Sequence, residues 1–225
     1  MLKTAYQHYL LRTSNPQKWK SIKHQAKKLD GGHTMPNQVK VLTILGSPRK
    51  KGNSTTLANQ ISKGAESNGA FVDSIYLNGL KIKPCQGCYG CQKPDAKGCV
   101  VDDDMQTIYP KLRETERWII ASPVYWFSMS AQTKLFMDRC FAMWNDARNE
   151  NWLKDKKIAI AMSYGDSDAF NSGCVNALRS FQDAYAYVGA RIVGMVYGSA
   201  EASGEIKSNT VLMTQAEELG KRLTR

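Results

Sequence analysis

VKVLTILGSPRKKGNSTTL, residues 39–57, joins an apolar run to a loop of glycine, hydroxyl and basic residues and then to a helical pattern. Residues 39–45 read as a buried β-strand, and a helix is expected from about Ser54. A helix N-terminus leaves backbone N–H groups unpaired and carries the positive end of the macrodipole, so the intervening loop is expected to hold an anion such as a phosphate. Ser47, Ser54 and Thr55 offer hydroxyls, Asn53 an amide and Arg49 a planar guanidinium, while Gly46 and Gly52 let the backbone turn close to a ligand. The spacing excludes two other phosphate loops. Gly46 and Gly52 enclose five residues and lead into Asn53-Ser54, where a nucleotide-hydrolysing P-loop has four and then Lys-Ser/Thr; G-x-G-x-x-G occurs nowhere. The plainer alternative is that Ser54 merely caps the helix. Capping needs one hydroxyl, however, and this loop groups three beside an arginine.

Downstream, strand and helix patterns alternate without internal repeats. Strands are expected at residues 71–77, 118–121, 157–162 and 191–197, and helices at 54–68, 102–116, 130–144, 172–188 and 211–223. Asp102, Asp103 and Asp104 read as the capped, dipole-complementing start of a helix rather than a metal cage. Five short apolar strands separated by helices predict an α/β fold with a parallel sheet covered on both faces. Ligands in such sheets lie beyond the carboxyl ends of the strands. Those ends bring together the phosphate loop, the run Ser122 to Ser130 with Pro123, Val124, Tyr125, Trp126 and Ser128, and the small polar turn with Tyr164 and Gly165. A phosphate grip, aromatic faces and backbone hydrogen-bonding groups suit a phosphorylated planar cofactor.

GSPRKKGNST (46–55), a cysteine loop ending in VVDDDM (100–105), and SPVYWFSMSAQTKLFMDR (122–139) together resemble the flavodoxin-fold reductases that bind FMN, the NADPH-dependent FMN reductase and iron–sulfur flavoprotein group. The resemblance covers about residues 39–222. It implies a flavodoxin-like doubly wound five-stranded sheet of order 2-1-3-4-5, with the FMN phosphate in the loop of Ser47, Arg49, Asn53, Ser54 and Thr55. It places the isoalloxazine ring against Pro123, Val124, Tyr125 and Trp126, and it makes NAD(P)H a candidate electron donor. The flavin carries the chemistry, so no catalytic side chain is expected.

Four of the six cysteines form the run Cys85-x2-Cys88-x2-Cys91-x7-Cys99, with Cys140 and Cys174 isolated in helical stretches. Three cysteines at successive x2 spacing resemble the compact ferredoxin run that wraps a [4Fe–4S] cluster, whereas zinc sites usually split their ligands into two separated pairs. The spacing also resembles that of the iron–sulfur flavoproteins. A metal-free loop, zinc or a redox disulfide remain the alternatives.

At 225 residues and 42% apolar, the chain has ample material for a core. It shows neither a bilayer-length apolar run nor the apolar h-region of a secretory signal, so a cytoplasmic protein is expected. Residues 1–38 hold seven Lys/Arg against the single Asp30, a share of +6 in the net charge of +11. They read as a basic helical arm, with residues 39–225 forming the FMN-binding domain. All three histidines lie in that arm, which leaves the domain no His for a nucleophile pair or metal site. The expected function is an FMN-dependent oxidoreductase of the iron–sulfur flavoprotein type, passing electrons from NAD(P)H or a ferredoxin-like donor through cluster and flavin to a small or protein acceptor. The alternatives are a cluster-free FMN or quinone reductase, a passive electron shuttle and a redox-sensing regulator. The flavin edge that one small domain would leave open, the aromatic run Tyr125 to Phe127 and the Met-rich helix with Met137 and Met143 predict a homodimer or homotetramer. Membrane and nucleic acid are not expected partners.

Overall fold

The structure, a computed structural model, describes residues 38–225, so the expected arm falls outside the described residues except for Gln38. In chain order the elements are β1 (Lys40–Leu45), α1 (Asn53–Ser67), β2 (Phe71–Tyr76), α2 (Met105–Glu114), β3 (Arg117–Tyr125), β4 (Ser128–Met129) and α3 (Ala131–Arg139). There follow β5 (Trp144–Asn145), β6 (Glu150–Asn151), β7 (Lys157–Tyr164), α4 (Cys174–Tyr187), β8 (Arg191–Ser199) and α5 (Thr210–Leu223). The principal strands are parallel and lie in the order β2-β1-β3-β7-β8, which is the doubly wound 2-1-3-4-5 arrangement. The strand order reverses beside β1, where Leu45 pairs with Tyr76 on one side and Ala121 on the other.

The central strands are mostly apolar because helices cover both faces, and their alternation sends side chains to opposite faces. Leu42, Ile44, Trp118 and Ile160 point toward α2, α3 and α4, where a large core forms. Trp118 is fully buried there, edge-on to Phe136 at 6.4 Å and Tyr185 at 6.5 Å, and its indole N–H donates to the Thr115 carbonyl at 3.1 Å. Val41, Ala121, Ala159 and Ala161 point the other way, toward α1 and α5. Small strand residues let that helix pair settle close to the sheet, and glycine lets the helices touch. A Cβ on Gly64 would lie 1.9 Å from the Glu217 carbonyl oxygen, and one on Gly220 would lie 1.9 Å from that of Ile61. No helix among the described residues is long and apolar enough to cross a membrane.

Three local expectations are corrected. The third strand does not stop at Ala121: β3 runs on to Tyr125 and folds back through β4, with Tyr125 opposite Ser128. Pro123, expected in the loop after the strand, lies within it. It is tolerated there because β1 has already ended and Pro123 pairs only with Ser163 of β7. The helix expected over 130–144 ends at Arg139 and continues as a 3-10 turn, Cys140–Met143. Beyond it, the Asn145 side chain accepts from the Arg148 N–H and donates to the Cys91 carbonyl, a local alternative to helix. Third, the Asp104 side chain does not cap α2; Asp103 accepts from the Met105 N–H instead, and both carboxylates turn toward the cysteine loop.

Candidate functional site

The chain leaves β1 at Leu45 and turns through Gly46, whose N–H donates to the Ala121 carbonyl at 2.8 Å. A Cβ on Gly46 would meet Thr133 Oγ1 at 1.9 Å, so no other residue passes between β3 and α3 here. At Gly52 the backbone is still extended, and no side chain caps α1. The first intrahelical bond is Thr56 N–H to the Gly52 carbonyl, which leaves the N–H groups of Asn53, Ser54 and Thr55 without an intrahelical acceptor. Beside them the Ser54 hydroxyl is 0% exposed and has no hydrogen-bond partner. An unpaired buried hydroxyl costs about 1–3 kcal/mol, and a phosphate oxygen at the same helix start would satisfy it. The loop therefore fits a phosphate on its own evidence.

The other loop residues divide. Ser47 is buried and accepts from the Arg49 N–H at 3.1 Å; Thr55 is buried and donates to the Arg49 carbonyl at 3.4 Å; the Arg49 side chain is exposed. Asn53 corrects the sequence reading. Its amide donates to the carbonyls of Ala200 (3.1 Å) and Ala202 (2.9 Å), and its oxygen accepts from Ile206 N–H (3.3 Å). The side chain thus ties the segment after β8 onto the loop, and only the backbone N–H of Asn53 is left for an anion.

The ends of β3 and β7 lie next to this loop. Ser122 accepts from the Ser130 N–H at 2.9 Å, and the Ser130 hydroxyl donates to the Gly46 carbonyl at 2.7 Å, so buried hydroxyls fasten the hairpin to the phosphate loop. Pro123 is buried, Val124 and Ser128 are half-buried, and Tyr125 is exposed at the end of β3. Trp126 and Phe127 form a two-residue turn with φ of 47° and 63°, the left-handed pair that a tight hairpin requires. Bulky residues pay conformational strain there, and the turn is held from below. A Cβ on Gly173 would sit 2.6 Å from the Phe127 Cα, and the Asn176 amide donates to the Phe127 carbonyl at 3.3 Å. Trp126 is consequently presented to solvent, 93% exposed. On the β7 side Tyr164 is half-buried, its carbonyl accepting from Ala200 N–H at 2.8 Å; burial, with help from Cys174, raises its phenol above the ordinary range. Gly165 follows, exposed.

The cysteine loop is built on side chains rather than on a ladder. Asp104 accepts from Lys81 N–H at 2.7 Å and Asp103 from Lys83 N–H at 2.8 Å, fixing the start of the loop. Gln106 donates to the carbonyls of Cys99 (2.8 Å) and Val101 (2.7 Å), fixing its end. Gln92 and Asn145 hold the middle, Gln92 donating to the Trp144 carbonyl and Asn145 to that of Cys91. Cys85, Cys88, Cys91 and Cys99 all line one cavity of about 750 Å³, whose walls also include the rings of Phe141 and Trp144. Burial raises the Cys91 thiol above its ordinary range, with smaller upward contributions from the neighbouring Cys99 and Cys85. Cys140 also lines the cavity, buried and pushed up to about 12 by desolvation; Cys174 is buried elsewhere and pushed up to about 11. Among the described residues no three His, Cys, Asp or Glu side chains surround a point that would hold one ion. A cubane cluster takes one thiolate on each of four irons, so its ligands ring a cavity rather than converge on a point. Four free thiols lining a shared cavity fit that group in donor type and number.

One pair of residues at this site escaped the sequence reading. Arg139 and Asp103, their side chains 0% and 1% exposed, form a buried two-pronged ion pair beneath the loop. Asp103 had been assigned to helix capping and Arg139 to no role. The available signal was an arginine three residues after Phe136, on the buried face of α3.

The family described as NADPH-dependent FMN reductase matches residues 39–204. An iron-sulfur flavoprotein of Methanosarcina thermophila is 32% identical over 156 residues, covering 69% of this chain and 78% of its own. An iron-sulfur flavoprotein of Methanocaldococcus jannaschii is 30% identical over 193 residues, covering 82% and 95%. Among solved structures, an NAD(P)H:quinone oxidoreductase from Methanothermobacter marburgensis superposes with a TM-score of 0.63 at 15% identity, covering 84% of this chain and 97% of that one, a likeness of fold alone. With its flavodoxin-like sheet and a family match over most of the described residues, the chain belongs to the NADPH-dependent FMN reductase family and is a flavin-dependent oxidoreductase.

Proposed function

We propose that the FMN phosphate binds at the start of α1, held by the backbone N–H groups of residues 53–55, the hydroxyls of Ser54, Ser47 and Thr55, and the guanidinium of Arg49. The ring lies along Pro123, Val124, Tyr125 and Trp126, with Ser128, Tyr164 and Gly165 at its rim. The observation that carries this reading is the buried, unpartnered Ser54 hydroxyl at an uncapped helix start. Bound there, FMN supplies hydride acceptance and single-electron release. The chain's own residues orient the ring, place its phosphate and leave one ring face reachable from the exposed Trp126 side.

In the finer reading, Cys85, Cys88, Cys91 and Cys99 hold a [4Fe–4S] cluster, and electrons from NAD(P)H or a ferredoxin-like donor pass between cluster and flavin to a small or protein acceptor. This reading is supported by the shared cavity of the four thiols and by relatives named iron-sulfur flavoproteins. Thiolate ligation of iron requires reducing surroundings, as in a cytoplasm. The test is anaerobic purification followed by quantitation of extracted FMN, iron and acid-labile sulfide, and by NADH and NADPH oxidation with added acceptors. FMN together with equimolar iron and sulfide is expected. Flavin without iron or sulfide would leave a plain FMN reductase; absence of flavin would overturn the site itself.

A further inference from the structure

Arg139 ends α3 with its side chain fully enclosed, and its guanidinium reaches three groups at once. One nitrogen meets Asp103 and donates to the Lys83 carbonyl at 2.8 Å; the other donates to Asp103 Oδ1 at 3.2 Å and to Cys99 Sγ at 3.4 Å. Asp103 also accepts from the Lys83 and Met105 N–H groups. The fork therefore binds the start of the cysteine loop to its last cysteine. A buried arginine needs a carboxylate partner, and Asp103 meets that need. The contact with sulfur is not needed for charge balance.

We infer that Arg139 is a positioning residue for the iron–sulfur centre, fixing Cys99 and raising the centre's reduction potential through an N–H···S hydrogen bond. The inference rests on the cluster reading above. Reduction adds one negative charge to a centre whose sulfurs carry most of it, and hydrogen bonds to those sulfurs stabilise the more negative state. The other side-chain donors at the four thiols are neutral: the Gln92 amide to Cys91 Sγ at 3.5 Å and the Tyr109 hydroxyl beside Cys99. The charged donor falls on Cys99, the cysteine that seven residues of loop separate from the compact run. Local spacing holds the first three cysteines, whereas the fourth is held from outside the run, its carbonyl by Gln106 and its sulfur by Arg139.

The decisive variant is Arg139→Lys, which keeps a cation for Asp103 but lacks the second nitrogen that reaches sulfur. Potentiometric titration of the anaerobic holoprotein, read by electron paramagnetic resonance, is expected to show the reduction equilibrium shifted at least tenfold toward the oxidised centre, about 59 mV for one electron. FMN content should be unchanged, and Arg191→Lys, on an exposed arginine of β8, should leave the potential where it was. If the lysine variant fails to fold or to retain iron, the wild-type protein decides. Labelled with ¹⁵N in its arginine guanidinium groups, its reduced centre should show electron–nuclear coupling to an arginine nitrogen. Iron-containing wild type with no such coupling, or a folded lysine variant with an unshifted potential, overturns this inference and leaves the cluster reading intact. Wild type without iron or sulfide overturns the cluster reading first.

Discussion

Replacing Ser54 by alanine should move two measurements in opposite directions. In the flavin-free protein the hydroxyl is fully enclosed and bonds to nothing, a state that costs about 1–3 kcal/mol. Alanine removes the polar atom and leaves a hole one atom wide, so flavin-free protein should gain on the order of 1 kcal/mol, or roughly 2–4 °C in Tm for a chain of this size. With FMN present the same hydroxyl donates to a charged phosphate, a bond worth about 1.5–3 kcal/mol, so affinity should fall about ten- to a hundredfold. Thermal melts of flavin-free wild type and variant, paired with flavin fluorescence titrations, check both signs. The competing account is an ordinary helix cap, whose loss lowers stability by about 1 kcal/mol whether or not flavin is present. A flavin-free variant less stable than wild type, with unchanged FMN affinity, would refute the phosphate assignment.

Three further outcomes are expected. Cys88→Ser should abolish bound iron and sulfide while FMN stays, because Cys88 lines the cysteine cavity and none of that cavity's lining residues belongs to the phosphate loop; loss of both cofactors, seen by metal analysis and flavin extraction, would show that the sites are not independent. Gly220→Ala should destabilise the fold by about 1–3 kcal/mol in chemical denaturation, since its Cβ would lie 1.9 Å from the Ile61 carbonyl and must force α1 and α5 apart; a neutral result would mean the helices yield freely. Burial pushes the Lys156 ammonium down to about 8 from an ordinary 10.5, against the pull of Glu116. Between those pH values the unfolded chain binds the extra proton, so stability should climb as pH rises through the window, and Lys156→Met should flatten the climb. Parallel stability–pH curves for the two proteins would contradict it.

What the sequence showed clearly was local. The run from β1 through a glycine and hydroxyl loop into α1 is contiguous, and so is the compact cysteine spacing; each signals its geometry within twenty residues. The same loop shows where such reading ends. Asn53 and Ser54 are adjacent polar residues at one helix start, and nothing nearby says that the first is engaged by carbonyls some 150 positions away while the second is left free. Trp126 and Phe127 read as loop because bulky residues seldom form left-handed turns; the seat that makes the turn possible is Gly173, in another element. Asp103 was assigned by its neighbours to a helix start, whereas its partner Arg139 comes from the next α-helix.

The Asn53 tether also sets an order of events. Ribosomes deliver β1, the phosphate loop and α1 early, yet the carbonyls that hold Asn53 belong to Ala200 and Ala202, and the helix that packs on α1 begins at Thr210. A nascent chain that has reached only β7 therefore carries every side chain proposed to bind the phosphate, braced by Ser130 at Gly46 but without the anchor on Asn53. The loop proposed to hold the FMN phosphate is thus completed late in synthesis, when the segment after β8 emerges and ties down Asn53 in a loop made long before.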